Sequence, residues 1–65
     1  MQVTINGETT SLSDILTVEN LVTQLDLNGR LAVEINQQIV PRSEFGSYQI
    51  NEGDIIEIVH AIGGG

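Results

Sequence analysis

The sequence predicts an α+β fold in which one main helix lies across one face of a mixed sheet of about five strands. Three observations support this prediction. Apolar residues alternate with polar ones near both ends of the chain, as in half-buried strands. The spacing of the apolar residues lengthens to that of a helix only between residues 17 and 29. The chain has 65 residues, which is enough for one small domain.

The first two strands are predicted to form a hairpin. Val3 and Ile5 alternate with polar residues and are followed directly by Asn6-Gly7, a pair that accepts positive φ at both central positions of a tight turn. The return strand is expected at residues 8–12, where alternation is poor, so this strand is inferred mainly from the turn.

The helix is predicted from four apolar residues that share one helical face: Val18, Leu21, Val22 and Leu25. Thr17 is the expected N-cap, and Glu19 favours the positive end of the helix dipole. Asn28-Gly29 is expected to end the helix, because both residues tolerate a left-handed conformation.

Three further strands are predicted after the helix. Alternation returns at residues 31–35, Asn36-Gln37 turns the chain, and residues 38–40 form a short strand that Pro41 ends. Residues 43–48 are expected to form a loop with a short helical turn.

The last strand is predicted at residues 55–59, after a turn at residues 51–54, because β-branched residues are concentrated there. Ile56 and Ile58 should face one side, and Ile55, Glu57 and Val59 the other. The resulting order of strands around one helix is that of the β-grasp, or ubiquitin-like, fold. We assign residues 1–62 to this domain and residues 63–65 to a flexible glycine tail.

The charge balance narrows the possible partners. Two basic side chains oppose nine acidic ones, so the formal net charge is −7. Such a chain repels nucleic acid and anionic membranes, and a protein with a basic patch is the expected partner. No apolar run approaches the roughly 20 residues that span a bilayer, and no export signal is recognisable, so a soluble, cytoplasmic protein is expected.

The residues within the domain do not indicate a catalytic or metal site. His60 is the chain's one histidine, there is no cysteine, and the carboxylates are scattered as on a solvated surface. No serine has a histidine evidently placed to activate it. The sequence also lacks lysine, because both basic residues are arginines.

The end of the chain is the exception. Gly63, Gly64 and Gly65 have no Cβ and can thread a channel too narrow for side chains, reaching roughly 10 Å when extended. The α-carboxylate that follows them could be activated as a mixed anhydride with a nucleotide. Joined to a β-grasp domain, this tail suggests a carrier on which another enzyme performs the chemistry.

The chain resembles the ThiS family of sulfur carrier proteins over its whole length. The resemblance lies in Asn6-Gly7 after the opening strand, in Val-Pro-Arg-Ser-Glu-Phe at residues 40–45, and in residues 52–59 leading to the terminal glycines. One departure is Asn36-Gln37, where the family often has Asn-Gly.

The resemblance implies a function in thiamine biosynthesis. A ThiF-like adenylating enzyme would use ATP and magnesium to adenylate Gly65, and a cysteine desulfurase or another sulfur donor would supply the sulfur. The resulting thiocarboxylate would pass sulfur to thiazole synthase. Gly63 and Gly64 would thread the partner's active site, and the carrier itself would bind no cofactor or metal.

Alternatives from other classes remain open. The small subunit of molybdopterin synthase shares the fold and the chemistry, whereas a ubiquitin-like binding module would use only its sheet surface and never react. A conjugated modifier is also compatible with the sequence. The expected docking surface is an apolar stripe of Ile55 and Val59 with Glu57 and Asp54 at its rim.

Overall fold

The computed structural model describes residues 1–13, 16–27 and 29–60. Within these ranges the chain forms five strands, one α-helix and one short 3₁₀ helix: β1 Gln2–Ile5, β2 Glu8–Ser11, α1 Val18–Gln24, β3 Leu31–Ile35, β4 Gln38–Val40, the 3₁₀ helix Arg42–Glu44 and β5 Ile55–His60. The described α-helix has 7 residues, too few to cross a membrane.

The strands form a mixed sheet in the order β2-β1-β5-β3-β4. β1 and β5 are parallel, whereas the other neighbouring pairs are antiparallel. The last strand therefore lies in the middle of the sheet, between the first and the third. The predicted mixed sheet with one helix is confirmed.

Both predicted hairpin turns are present. Asn6 and Gly7 have φ values of 49° and 86°, and Asn36 and Gln37 have values of 51° and 70°. In each hairpin two residues join directly paired strand ends, and positive φ at both matches the right-handed twist of the strands. The second turn adopts this geometry without a glycine.

The predicted start of the helix is confirmed. The Thr17 hydroxyl accepts a hydrogen bond from the Asn20 main-chain N–H at 3.2 Å. The Asn20 side-chain oxygen in turn accepts from the Thr17 main-chain N–H at 3.2 Å, which completes a capping box.

The helix ends earlier than the sequence predicts. α1 stops at Gln24, and Asp26 adopts a left-handed φ of 56°. The Asp26 N–H donates to the Thr23 carbonyl at 3.0 Å, and the Leu27 N–H donates to the Val22 carbonyl at 3.1 Å. This pair of bonds is a Schellman motif, which satisfies carbonyl groups in the last helical turn.

The predicted end of the helix at Asn28-Gly29 is therefore wrong at Gly29, which lies in the loop before β3. Asn28 is outside the described residues. The sequence predicts that Leu25 shares a helical face with Val18 and Leu21. In the structure Leu25 is instead the C-cap residue and is 38% exposed, whereas Val18 and Leu21 are buried.

The core lies between the helix and one face of the sheet. Its buried apolar side chains come from the strands, the helix and the connections: Val3, Leu12, Leu16, Val18, Leu21, Val33, Ile35, Val40, Phe45, Ile50, Ile56 and Ile58. In β5, Ile56 and Ile58 share one face as predicted, and that face points inward, whereas Ile55, Glu57 and Val59 point outward.

Candidate functional site

The face of the sheet opposite the helix carries the predicted docking residues. Ile55 and Val59 are 56% and 60% exposed, and Glu57 between them is also exposed. The structure thus places these three side chains together on one surface.

The register of the sheet extends this surface across two neighbouring strands. Glu57 lies directly opposite Glu34 in β3, and Glu34 lies opposite Ile39 in β4. Directly opposite residues point to the same side of an antiparallel pair. Ala32 in β3 lies opposite Val59 in the same way. We use the name "open face" for this surface, which consists of Ala32, Glu34, Ile39, Ile55, Glu57 and Val59.

Ile39 is a member of the open face that the sequence analysis missed. It is 66% exposed, more than any other large hydrophobic residue in the described part of the chain. Its place beside Glu34 depends on the pairing of β3 with β4. The Asn36-Gln37 turn is the sequence signal that could have fixed this register.

Asp54 does not form the rim of this surface, contrary to the prediction. It is only 8% exposed. Its carboxylate accepts hydrogen bonds from the Asn36 side-chain amide at 3.0 Å and from the Asn51 main-chain N–H at 2.8 Å. Asp54 is buried because it ties the turn before β5 to the turn between β3 and β4.

The Asn36 side chain also binds the start of β5. Its oxygen accepts a hydrogen bond from the Ile55 N–H at 3.0 Å, and its own main-chain N–H donates to the Ile55 carbonyl at 2.8 Å. The first residue of the exposed stripe is therefore fixed by a turn residue from the neighbouring hairpin.

The far end of β5 is held by Asn6. The Asn6 side-chain oxygen accepts a hydrogen bond from the Ile58 N–H at 2.9 Å, and its amide nitrogen donates to the Ile58 carbonyl at 3.2 Å. β1 has already ended at Ile5, so the side chain substitutes for a peptide group of the neighbouring strand. β5 is thereby paired beyond the end of β1.

β5 ends at His60, which is exposed and lies opposite Leu31. The predicted reactive tail, Gly63, Gly64 and Gly65, lies outside the described residues. Within the described ranges no group of three or more histidine, aspartate or glutamate side chains could hold a metal ion.

The segment that carries the Pro-Arg-Ser-Glu-Phe resemblance supports the fold in the described structure. The Arg42 guanidinium lies 5.8 Å from the centre of the Phe45 ring and donates to the Gly29 carbonyl at 2.6 Å. Phe45 is buried in the core. The segment therefore links the 3₁₀ helix to the loop that precedes β3.

Together, the sheet order, the helix across one face and the central last strand define a ubiquitin-like β-grasp protein. The sequence model of the ThiS family matches residues 2–65. The chain belongs to the ThiS family.

Curated relatives agree with this assignment. The sulfur carrier protein ThiS of Escherichia coli is 36% identical over 66 residues, which cover 100% of both chains. A protein of Paramagnetospirillum magneticum named thiazole synthase is 46% identical over 66 residues. The chain spans only 20% of the length of that thiazole synthase.

Solved structures of the thiamine biosynthesis protein ThiS from Geobacter metallireducens have the same fold. Its crystal structure superposes with a TM-score of 0.86 at 28% identity and covers 100% of both chains. Its solution structure gives a TM-score of 0.85 and covers 100% of this chain and 88% of that one.

Proposed function

We propose that the chain is a sulfur carrier of thiamine biosynthesis and that the carboxylate of Gly65 carries the sulfur. The observation that carries this proposal is the family match, which extends through residue 65 and so includes the glycine tail. The Escherichia coli sulfur carrier protein, which aligns from end to end, supports the same function.

The proposed chemistry begins with activation of a poor electrophile, because the charge of a carboxylate is delocalised over two oxygens. On a ThiF-like adenylating enzyme with ATP and magnesium, a Gly65 carboxylate oxygen bonds to the α-phosphorus of ATP and pyrophosphate leaves. The persulfide sulfur of a cysteine desulfurase, or of another donor, then attacks the acyl carbon and AMP leaves. A thiol cleaves the resulting acyl disulfide: the thiol and the donor's sulfur form a disulfide, a proton is released, and the thiocarboxylate remains.

The domain supplies recognition and no catalytic step in this proposal. Its one histidine, His60, and the absence of cysteine leave no evident nucleophile paired with a base. Gly63 and Gly64 pass the terminal carboxylate into the partner's active site, since residues without a Cβ fit a narrow channel.

Thiazole synthase is the proposed acceptor of the sulfur. Two proteins named thiazole synthase, from Paramagnetospirillum magneticum and Magnetococcus marinus, contain a segment that is 46% and 38% identical to this chain. A carrier-like segment within the same polypeptide as the synthase supports direct contact between the two functions.

Intact-mass spectrometry tests the proposal. The mass of the purified chain is first measured to establish that Gly65 is its terminal residue. The chain is then incubated with adenylating enzyme, ATP, magnesium, cysteine, desulfurase and a thiol reductant. We expect a mass increase equal to the difference between sulfur and oxygen, localised to Gly65 by fragmentation. A variant lacking Gly65 is the matched control and should keep its mass.

An unchanged mass for the full chain, under conditions that convert the Escherichia coli carrier, would contradict the proposal and favour the binding-module function. The thiocarboxylate form is then mixed with thiazole synthase or with the large subunit of molybdopterin synthase. Loss of sulfur only in the presence of the latter would assign the chain to the alternative pathway.

A further inference from the structure

The centre of the open face combines opposed carboxylates with exposed apolar side chains. Glu34 and Glu57 are directly opposite each other in β3 and β5. Such residues have Cβ atoms about 4.5–5.5 Å apart. Ile55 and Val59 flank Glu57 along β5, and Ile39 lies next to Glu34 on β4.

Nothing within the described residues compensates these two charges. Neither carboxylate accepts a hydrogen bond there, and neither forms an ion pair, in contrast to Asp54 in the adjacent turn. Like charges directly opposite each other destabilise a sheet. Folding therefore places two carboxylates of like charge at facing positions, where both remain available to a cation.

A groove of about 280 Å³ lies over this pair. It is lined by Glu34, Asn36, Gln37, Ile55 and Glu57, so acidic, amide and apolar groups meet in one depression. The Asn36 side chain is already bound to Ile55 and Asp54, and it therefore holds one wall of the groove in place.

We propose that the open face docks a protein surface on which an arginine is surrounded by apolar side chains. The guanidinium enters the groove between Glu34 and Glu57, and the apolar side chains cover Ile39, Ile55 and Val59. This inference rests on the proposed function, in which the docked protein is the adenylating enzyme that acts on Gly65.

The chemistry of the groove favours a guanidinium over other occupants. Its planar fork of N–H donors can bind two carboxylates at once, and it is more weakly hydrated than an ammonium group. A second copy of this chain would bring a net charge of −7 against another −7 and would place carboxylate against carboxylate. An apolar partner without a cation would leave both charges uncompensated.

The test compares two charge reversals of equal size. Glu57→Arg changes the open face. Glu44→Arg changes the 3₁₀ helix, where Glu44 is also exposed. This helix is joined to α1 by a hydrogen bond from the Glu19 N–H to the Phe45 carbonyl. Both variants alter the net charge identically, so long-range attraction to a basic partner changes by the same amount. Only Glu57→Arg places a cation in the groove.

Binding of each full-length variant to the adenylating enzyme is measured by stopped-flow fluorescence at several salt concentrations. We expect the Kd of Glu57→Arg to rise about 30-fold or more, and that of Glu44→Arg to change less than about threefold. Equal Kd values for the two variants would overturn the inference.

Thermal unfolding separates docking from folding. An arginine at position 57 faces Glu34 with opposite charge, so the Glu57→Arg variant should unfold at the same or a higher temperature than the natural chain. Weak binding together with unchanged or increased stability supports the proposal. Weak binding together with a lower unfolding temperature would overturn it, because the variant would then be losing its fold.

A second measurement identifies the partner's cation. Phenylglyoxal modifies arginine side chains, and the natural chain should protect one arginine of the adenylating enzyme that Glu57→Arg does not protect. Protection of lysines from acetylation, with every arginine equally reactive, would overturn the assignment to a guanidinium.

The same samples distinguish this inference from the proposed function. The variant lacking Gly65 should bind with the natural affinity but form no thiocarboxylate, because docking and chemistry use different parts of the chain. If Glu57→Arg binds normally and the natural chain is converted, the docking inference fails and the carrier function stands. If docking depends on Glu57 but no thiocarboxylate forms, the carrier function fails instead.

Discussion

The Asn6 side chain forms two hydrogen bonds with the main chain of Ile58, accepting from its N–H at 2.9 Å and donating to its carbonyl at 3.2 Å. Asn6 also has a φ of 49° in the first hairpin turn. One residue therefore both reverses the chain after β1 and continues the pairing of β5 towards its C-terminal end.

Asn6→Asp should destabilise the protein and loosen the end of β5. Aspartate tolerates positive φ, so the turn is preserved, but the amide donor becomes an oxygen that faces the Ile58 carbonyl. We expect the free energy of unfolding to fall by about 1–2 kcal/mol and amide exchange at Ile58 to accelerate. Urea denaturation and hydrogen exchange measure these two effects.

Asn20→Asp is the matched control for this substitution. The Asn20 side chain uses its oxygen to accept from Thr17, and a negative charge in the first helical turn is favourable. The free energy of unfolding of the Asn20→Asp variant should stay within about 0.5 kcal/mol of that of the natural chain, or rise. Equal losses for both variants would show that the Asn6 donor has no specific function.

Ile55 and Ile56 are adjacent isoleucines with opposite environments, since Ile55 is 56% exposed and Ile56 is fully buried. Ile56→Ala should lower the free energy of unfolding by about 2–5 kcal/mol, because it leaves a cavity between sheet and helix. Ile55→Ala should cost less than about 0.5 kcal/mol but weaken binding to the adenylating enzyme. Denaturation and binding measurements on the same two variants check this.

A large stability loss for Ile55→Ala would mean that the assignment of the two faces of β5 is wrong. Unchanged binding for that variant would remove Ile55 from the docking surface without affecting the fold.

Gln37→Gly should stabilise the second hairpin. Gln37 has a φ of 70°, a conformation that costs a residue with a Cβ about 1–2 kcal/mol. Glycine removes that strain but increases the entropy of the unfolded chain, so the net gain should be about 0.5–1 kcal/mol. Thermal unfolding measures the gain, and a lower midpoint would show that the Gln37 side chain stabilises the turn.

Asp54→Asn should destabilise the turn before β5. The two carboxylate oxygens accept from different donors, Asn36 Nδ2 and the Asn51 N–H, whereas an amide offers only one oxygen. One donor would then face an NH₂ group, at a cost of about 1–3 kcal/mol. Asp26→Asn, in the exposed helix end, is a control that should change stability by less than about 0.5 kcal/mol.

Much of the fold could be predicted because the apolar periodicity changes at the boundaries of the elements. Alternation predicted that Ile55 and Ile56 lie on opposite sides of β5, and the Asn6-Gly7 pair predicted the first turn. These features depend on residues close together in the sequence.

The features that sequence analysis missed depend on neighbours that are distant in the sequence. Ile39 joins Glu57 on the open face only through the pairing of three strands. Asp54 is buried because Asn36, 18 residues away, donates to it. The earlier helix end depends on Asp26 adopting a conformation for which glycine and asparagine are the usual signals.

The central position of β5 also determines how the domain responds to tension. A pull on the chain at His60, directed along the strand, would load the ladders with β1 and β3 in shear rather than peel one strand from an edge. Several bonds must then break together before the strand slips. A partner enzyme could therefore pull on the chain at His60 without extracting β5 from the sheet.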